Sequence, residues 1–119
     1  MNSDPGRLAE DRAAEYLKAL GYKVLERRWA CPLGELDIVA SEGEILVFVE
    51  VRARSSSAYG FPCETVTRAK QHKIIKTALT YLKAKALRPE TVRFDVVGLS
   101  PGCEPEHIIG AFEADGYTY

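Results

Sequence analysis

Two acidic residues occur where the sequence otherwise predicts buried strands. Asp37 lies in the alternating segment Gly34 to Ala40, and Glu50 directly follows the apolar run Ile45 to Val49. Charges that break the apolar pattern of a strand are concentrated at functional sites. Because a short turn joins the two strands, we expect the carboxylates to converge. Such a pair suits a hard divalent cation, Mg²⁺ or Mn²⁺, which can orient a phosphodiester and generate hydroxide from bound water.

Two further charged residues extend this site. Arg52 shares the predicted face of Glu50 and could neutralise an anionic transition state. Glu10 lies near the edge of the apolar face of a helix and could supply a third oxygen ligand. The alternative for Asp37 and Glu50 is a strand-end ion pair with Arg52 or Arg54. The alternative for Glu10 is an ordinary surface position.

A long predicted helix carries a second signal. The segment Thr65 to Pro89 contains arginines and lysines but no acidic residue, although the net charge of the chain is −1. A local basic surface binds phosphates without reading base sequence, and the alternative is a solvated lysine-rich face. In the loop before this helix, Tyr59 and Phe61 could stack on an unpaired base. The candidate nucleic-acid-binding residues are Arg68, Lys70, Gln71, Lys73 and Lys76.

The elements that must position these residues follow from periodicity and turn signals. They are a helix from Asp4 to Gly21, strands at Tyr22–Ala30, Gly34–Ala40 and Glu44–Arg54, a helix at Arg68–Leu87, and strands at Thr91–Leu99 and His107–Ala114. Strands linked by short turns should pair antiparallel, whereas a strand, helix, strand passage favours a parallel crossover. The expected fold is α/β, a mixed β-sheet flanked by helices in the order αβββαββ. Asp95 is expected to bond a neighbouring basic group.

Alternation assigns the faces of the two central strands. In the strand that carries Glu50, the odd-numbered residues from Ile45 to Ala53 share one face, and the even-numbered residues share the other. The second face begins apolar and ends charged. In the preceding strand, Leu36 and Ile38 are expected on one face and Asp37 on the other.

The composition describes an ordinary globular chain. Its 119 residues are 46% hydrophobic and 28% charged, which fits one domain over residues 1–119 and excludes a disordered or membrane-spanning chain. Three cysteines lack the close spacing of zinc or redox motifs. The amino terminus lacks the apolar core of a signal peptide. Together these features favour reduced thiols in the cytoplasm.

The motifs also carry a resemblance. Asp37, with Glu50-Val51-Arg52 after a hydrophobic strand, resembles the Asp … Glu-x-Lys signature of the PD-(D/E)XK nucleases. Nearly the whole chain resembles the YraN-like family of uncharacterised bacterial proteins, which are similar to Holliday junction resolvases. The matching stretches are Gly6–Ala14, Gly34–Asp37, Val47–Arg52, Thr67–His72 and Arg93–Val97.

The resemblance implies a restriction-endonuclease-like fold. It also implies that Glu10, Asp37 and Glu50 are catalytic metal-site residues, with Arg52 beside them. Arg52 stands where the family usually has lysine. Arginine stays protonated and cannot serve as a general base, although it can still stabilise an anion.

Three functions follow as hypotheses. The first is a Mg²⁺- or Mn²⁺-dependent endonuclease acting on branched or structured DNA. The second, motivated by Arg52, is a non-catalytic nucleic-acid-binding module on the same scaffold. The third is a protein-interaction domain whose basic helix meets an acidic protein. The expected partners are nucleic acid, DNA in preference to RNA, and a second copy in a symmetric homodimer, with no membrane involved.

Overall fold

The helices and strands follow the predicted order αβββαββ. The computed structural model describes residues 5–53 and 66–114. Asp4, at the predicted helix start, and the loop residues Tyr59 and Phe61 lie outside this described part. The elements are α1 Pro5–Ala19, β1 Lys23–Cys31, β2 Gly34–Glu42, β3 Ile45–Ala53, α2 Arg68–Ala84, β4 Thr91–Leu99 and β5 Glu106–Phe112.

The strands form one mixed sheet in the order β1-β2-β3-β4-β5. Neighbouring strands pair antiparallel except β3 and β4, which pair parallel from Ile45 opposite Thr91 to Ala53 opposite Leu99. The passage between these two parallel strands contains α2, as a crossover requires. The predicted mixed sheet flanked by helices is therefore confirmed.

Each face of the sheet is covered by one helix. Phe48 of β3 lies in the same buried cluster as Ile75 of α2. Val47 and Val49 lie in the other cluster, with Leu17 of α1. The alternation predicted for β3 is therefore confirmed, and its apolar character on both sides follows from its central position between two helices.

The alternation predicted for β2 is wrong at Leu36. This residue is buried under α2, whereas Ile38 is buried under α1. Leu36 pairs with Trp29 of β1, and the adjacent Arg28 has a φ of 53°. That left-handed conformation is unfavourable for an L-residue by roughly 1–2 kcal/mol. It lies where the regular alternation of side chains between the two faces of the sheet is broken. Asp37 lies opposite this point, between Leu36 and Ile38.

The first helix ends at Ala19, and Gly21, the predicted stop, closes it. Gly21 has a φ of 97° and donates its N–H to the Lys18 carbonyl at 2.9 Å. The N–H of Tyr22 reaches the Leu17 carbonyl at 3.0 Å. This pair of bonds closes the last turn by satisfying carbonyls that have no partner within the helix.

The second helix ends at Ala84 rather than at the predicted Leu87. The same two bonds close it: Ala86 N–H to the Lys83 carbonyl at 3.2 Å, and Leu87 N–H to the Leu82 carbonyl at 2.9 Å. Here alanine, with a φ of 54°, occupies the position that glycine occupies after α1. The sequence has no glycine to mark this end, and alanine, as a strong helix former, favours the longer helix that the sequence predicts.

Replacing Ala86 with glycine should therefore stabilise the protein. Removing the Cβ relieves the left-handed conformation, and the greater freedom of glycine in the unfolded chain offsets part of that gain. We expect the free energy of unfolding to rise by about 0.5–1 kcal/mol in urea denaturation. The reciprocal change, Gly21→Ala, should lower it by about 1 kcal/mol, since an added Cβ there meets no atom within 4 Å and only backbone strain is introduced. If both substitutions raised the free energy of unfolding, or both lowered it, this account would be contradicted.

A buried charge network joins β4 to β5 and α1. The Asp95 side chain is 0% exposed and accepts bonds from Arg93 Nε at 2.9 Å, His107 Nε2 at 2.8 Å and the Gly110 N–H at 3.0 Å. The other ring nitrogen of His107, Nδ1, lies 3.2 Å from the Tyr16 hydroxyl. Because a carboxylate only accepts, we assign the proton to Nε2, so the Tyr16 hydroxyl donates to Nδ1.

Within the described residues, neither helix has the length and apolar character that a membrane crossing requires.

Candidate metal and nucleic-acid site

The sheet divides between β2 and β3 at the two predicted carboxylates. The described pairing of these strands ends with Ile38 opposite Val49, whereas β2 continues beside β1 and β3 continues beside β4. Asp37 and Glu50 are the next residues beyond that last pair. The antiparallel register therefore places both carboxylates side by side where β2 and β3 separate.

Asp37 is held by the backbone of β3. Its Oδ2 atom accepts a hydrogen bond from the Val51 N–H at 2.8 Å. Burial and, after it, the negative charge of Glu50 raise the pKa of Asp37 to about 8, with smaller contributions from a side-chain hydrogen bond to Glu50 and from the charge of Glu10, whereas the bond from Val51 opposes the shift. The protonated form of Asp37 is therefore favoured at neutral pH when no cation is present.

Glu50 is the neighbour of Asp37 and the centre of the charge cluster. Its side chain is 10% exposed and lies close enough to Asp37 to share a hydrogen bond. Its Oε2 atom lies 3.2 Å from Lys70 Nζ and 3.5 Å from Arg52 Nη1. The ion pair with Arg52, which is the alternative to a metal site in the sequence analysis, is thus present beside the carboxylate pair, whereas the other predicted partner, Arg54, lies outside the described residues.

Glu10 approaches the same region from α1. It is 7% exposed, and its Oε1 atom lies 2.6 Å from Arg28 Nε. Its charge contributes to the raised pKa of Asp37. In residues 5–53 and 66–114, no three histidine, cysteine, aspartate or glutamate side chains form a group that could hold a metal ion. In this conformation Glu10 acts on the pair through its charge while Arg28 holds its carboxylate.

A cavity of about 170 Å³ opens at the carboxylate pair. α2 forms one wall, and the start of β2 approaches it closely: a Cβ added to Gly34 would lie 3.0 Å from Thr77 Oγ1 and 3.2 Å from Lys73 Cε. Glycine at position 34 therefore lets β2 and α2 enclose the cavity without a clash. The lining residues are Gly34, Glu35, Asp37, Glu50, Lys70, Lys73, Ile74 and Thr77.

The residues predicted to bind nucleic acid occupy different positions on α2. Lys70 and Lys73 line the cavity, whereas Arg68 and Lys76 are exposed. Gln71 is half-buried, and its Nε2 atom donates to the Val66 carbonyl at 3.1 Å. The side chain of Gln71 is thus engaged in fixing the start of the helix.

Sequence reasoning did not identify two charged partners in this cluster. Arg28 gave no signal because its left-handed backbone is visible only in the structure. The sequence predicts phosphate binding for Lys70, whereas its contact with Glu50 depends on how α2 packs over β3. The signal that pointed to Lys70 was its place near the start of a helix without acids.

The donor set fits one divalent cation. Mg²⁺ uses one or two carboxylates and completes its shell with water and substrate phosphate. Asp37 and Glu50 supply such a pair beside a cavity. The raised pKa of Asp37 means that a second negative charge is unfavourable there without a cation. Binding would therefore release the proton of Asp37.

A mixed sheet with this helix order, dividing at paired carboxylates on adjacent strands, defines a restriction-endonuclease-like, resolvase-like nuclease fold. The solved structure of Hjc, a Holliday junction resolvase from Archaeoglobus fulgidus, has the same fold, with a TM-score of 0.55 and 15% sequence identity. The match covers 87% of this chain and 75% of that one.

The chain belongs to the uncharacterised protein family UPF0102, whose model matches residues 9–99. A UPF0102 protein of Myxococcus xanthus is 44% identical over 112 residues, which cover 92% of this chain and 89% of the relative. One of Syntrophus aciditrophicus is 45% identical over 116 residues, covering 95% and 91%. The resemblance to the YraN-like family is confirmed.

Proposed function

We propose that this protein is a divalent-metal-dependent endonuclease that cleaves branched or otherwise structured DNA. The observation that carries the proposal is the carboxylate pair of Asp37 and Glu50 beside a cavity walled by a basic helix. The fold shared with a Holliday junction resolvase supports the class of substrate.

Each residue of the site has a distinct task in this proposal. Asp37 and Glu50 hold Mg²⁺ or Mn²⁺, with Glu10 a predicted third ligand. When bound, the ion supplies charge stabilisation and an activated water. Arg52, half-buried beside Glu50, stays protonated and stabilises negative charge on the attacked phosphoryl group, without acting as a base.

The exposed face of α2 binds the DNA backbone in this proposal. Arg68 and Lys76 are exposed, and Lys73 extends the positive surface to the cavity. Contacts of this type release counterions, so affinity should fall steeply with salt. A symmetric homodimer, suited to a two-fold substrate, stays a prediction that light scattering can test.

Cleavage assays test the proposal directly. A labelled four-way junction, a flap and a plain duplex are each incubated with Mn²⁺, Mg²⁺ or EDTA. We expect metal-dependent cleavage of the branched substrates, and its loss in Asp37→Ala. Asp11→Ala is the matched control, because Asp11 is an exposed carboxylate paired with Arg27 at 2.6 Å. Cleavage that persists in Asp37→Ala would remove the site from the reaction.

A second candidate is a non-catalytic nucleic-acid-binding module. The observation that favours it is that Glu50 contacts two cations, Lys70 and Arg52, of which Arg52 stands where the nuclease signature has lysine. This candidate predicts salt-sensitive DNA or RNA binding without cleavage, and cleavage that appears in Arg52→Lys. Absence of binding even at low salt would instead favour a protein-interaction domain.

A further inference from the structure

The start of α2 is fixed over the cavity in a way that directs Lys70 inward. The Thr67 hydroxyl caps the helix by accepting the Lys70 N–H at 3.2 Å. One residue further on, Gln71 bonds back to the Val66 carbonyl at 3.1 Å. Capping bonds of this kind hold the first turn of a helix in one geometry. The backbone of Lys70 is therefore fixed, while its side chain remains 42% exposed at the cavity.

The Lys70 ammonium and the proposed cation compete for the same atom. Lys70 Nζ lies 3.2 Å from Glu50 Oε2, an oxygen of the carboxylate that we propose as a metal ligand. An ammonium and a divalent cation at neighbouring positions repel each other. A phosphate entering the cavity offers the ammonium another anionic partner.

We propose that Lys70 is a catalytic residue of this site, supplying from α2 the positive charge that the lysine of the Glu-x-Lys signature would supply from β3. The inference rests on the proposed endonuclease function. In the free protein, Lys70 holds Glu50 and lowers the affinity of the site for a divalent cation. With DNA bound, the ammonium contacts the scissile phosphate. This role needs only the charge of Lys70, so arginine at position 70 should preserve most of it.

The position of Lys70 distinguishes it from the other cations of α2. Lys73 lines the cavity, but among the contacts of the described residues only Lys70 joins α2 to a site carboxylate. Lys76 is exposed and lies outside the cavity lining in the described part of the chain. Lys76→Gln is thus a matched control that removes one positive charge from the same helix.

Three measurements on the wild-type protein, Lys70→Gln, Lys70→Arg and Lys76→Gln test the inference. Mn²⁺ titration without DNA should give about tenfold tighter binding for Lys70→Gln, because a cation has left Glu50. The single-turnover cleavage rate with saturating protein should fall by about 10²-fold in Lys70→Gln. It should fall by less than about tenfold in Lys70→Arg, which keeps the charge. Junction affinity in Ca²⁺ should weaken equally in Lys70→Gln and Lys76→Gln.

The outcomes separate this inference from the proposed function. If the wild-type protein cleaves no substrate, the endonuclease function fails and the catalytic role of Lys70 fails with it. If the wild-type protein cleaves but Lys70→Gln cleaves as fast as Lys76→Gln, only the inference is overturned. Unchanged Mn²⁺ affinity in Lys70→Gln would likewise overturn it. A slower reaction combined with tighter metal binding is a signature that simple loss of structure does not produce.

Discussion

Replacing Asp95 with asparagine should lower the free energy of unfolding by about 3–5 kcal/mol, because removing the buried anion of an ion pair leaves the partly buried Arg93 with much less negative charge around it. The Asp95 side chain is 0% exposed, and that of its partner Arg93 is only 17% exposed. Arg93 would retain Glu42 at 2.8 Å and the Tyr22 hydroxyl at 2.7 Å. A carboxylate only accepts hydrogen bonds, whereas the asparagine amide would also present N–H groups to the N–H donors of Arg93 or His107.

Urea denaturation of Asp95→Asn beside Asp11→Asn measures this effect. Both residues pair with an arginine, but the Asp11 side chain is 52% exposed. Exposed pairs contribute about 0–1 kcal/mol, so Asp11→Asn should change little. A loss below about 1 kcal/mol in Asp95→Asn would contradict a structural role for the network.

The pH dependence of Asp95 provides an independent check. Burial alone would raise its pKa, but bonds from His107, Arg93 and the Gly110 N–H hold it below its ordinary value of 3.8. Since the folded-state pKa is the lower one, this stabilisation is present above pH 3.8 and is lost as the pH falls through the folded-state value. Acid unfolding of the wild-type protein should therefore be steeper than that of Asp95→Asn.

Replacing Asp37 with asparagine should stabilise the metal-free protein and abolish the metal-dependent cleavage that we propose. Burial and the nearby Glu50 raise the pKa of Asp37 from 3.8 to about 8. The pKa of Asp37 is higher in the folded state than in the unfolded state. The free energy of unfolding that Asp37 contributes is therefore greatest below pH 3.8 and is lost as the pH rises through about 8. One pKa unit corresponds to about 1.4 kcal/mol, so the loss is on the order of several kcal/mol.

Unfolding at pH 5, 7 and 8.5 in EDTA should therefore show stability falling with pH in the wild-type protein and a flatter profile in Asp37→Asn. Mn²⁺ at 100 times its Kd should restore about 2.7 kcal/mol to the wild-type protein and nothing to the variant. Cleavage by Asp37→Asn should fall by at least about 10³-fold, as expected when several kcal/mol of metal-derived stabilisation is lost. Glu35→Gln, an exposed carboxylate at the same cavity, should keep the wild-type slope. If the free energies of unfolding of the wild-type protein and Asp37→Asn changed equally with pH, the raised pKa of Asp37 would be contradicted.

Much of the fold could be predicted because its signals are local. The two-sided apolar character of β3, the turns before it and the basic helix after it define a mixed sheet with a crossover. Alternation failed at Leu36 because it assumes a regular hairpin, and the left-handed Arg28 breaks that regularity. The end of α2 was missed for a similar reason, since Ala86 adopts a conformation that glycine normally marks.

The site could be predicted only as far as strand pairing extends. Asp37 and Glu50 lie on neighbouring strands joined by a short turn, so their proximity follows from register. Contacts between layers do not follow from register, because they depend on the rotation of a helix over the sheet. Lys70 on Glu50 and Arg28 on Glu10 are of this second kind. His107 on Asp95 is instead a contact within the sheet, between the neighbouring strands β4 and β5.

The bond between Tyr16 and His107 spans 91 residues of chain, which constrains how the protein is made. During synthesis, α1 emerges from the ribosome long before its partner on β5 has been translated. Contacts of such sequence separation form slowly and late. A chain that stops at β4 lacks the bonds that His107 and Gly110 donate to Asp95, so we expect nascent chains of that length to be readily digested by protease.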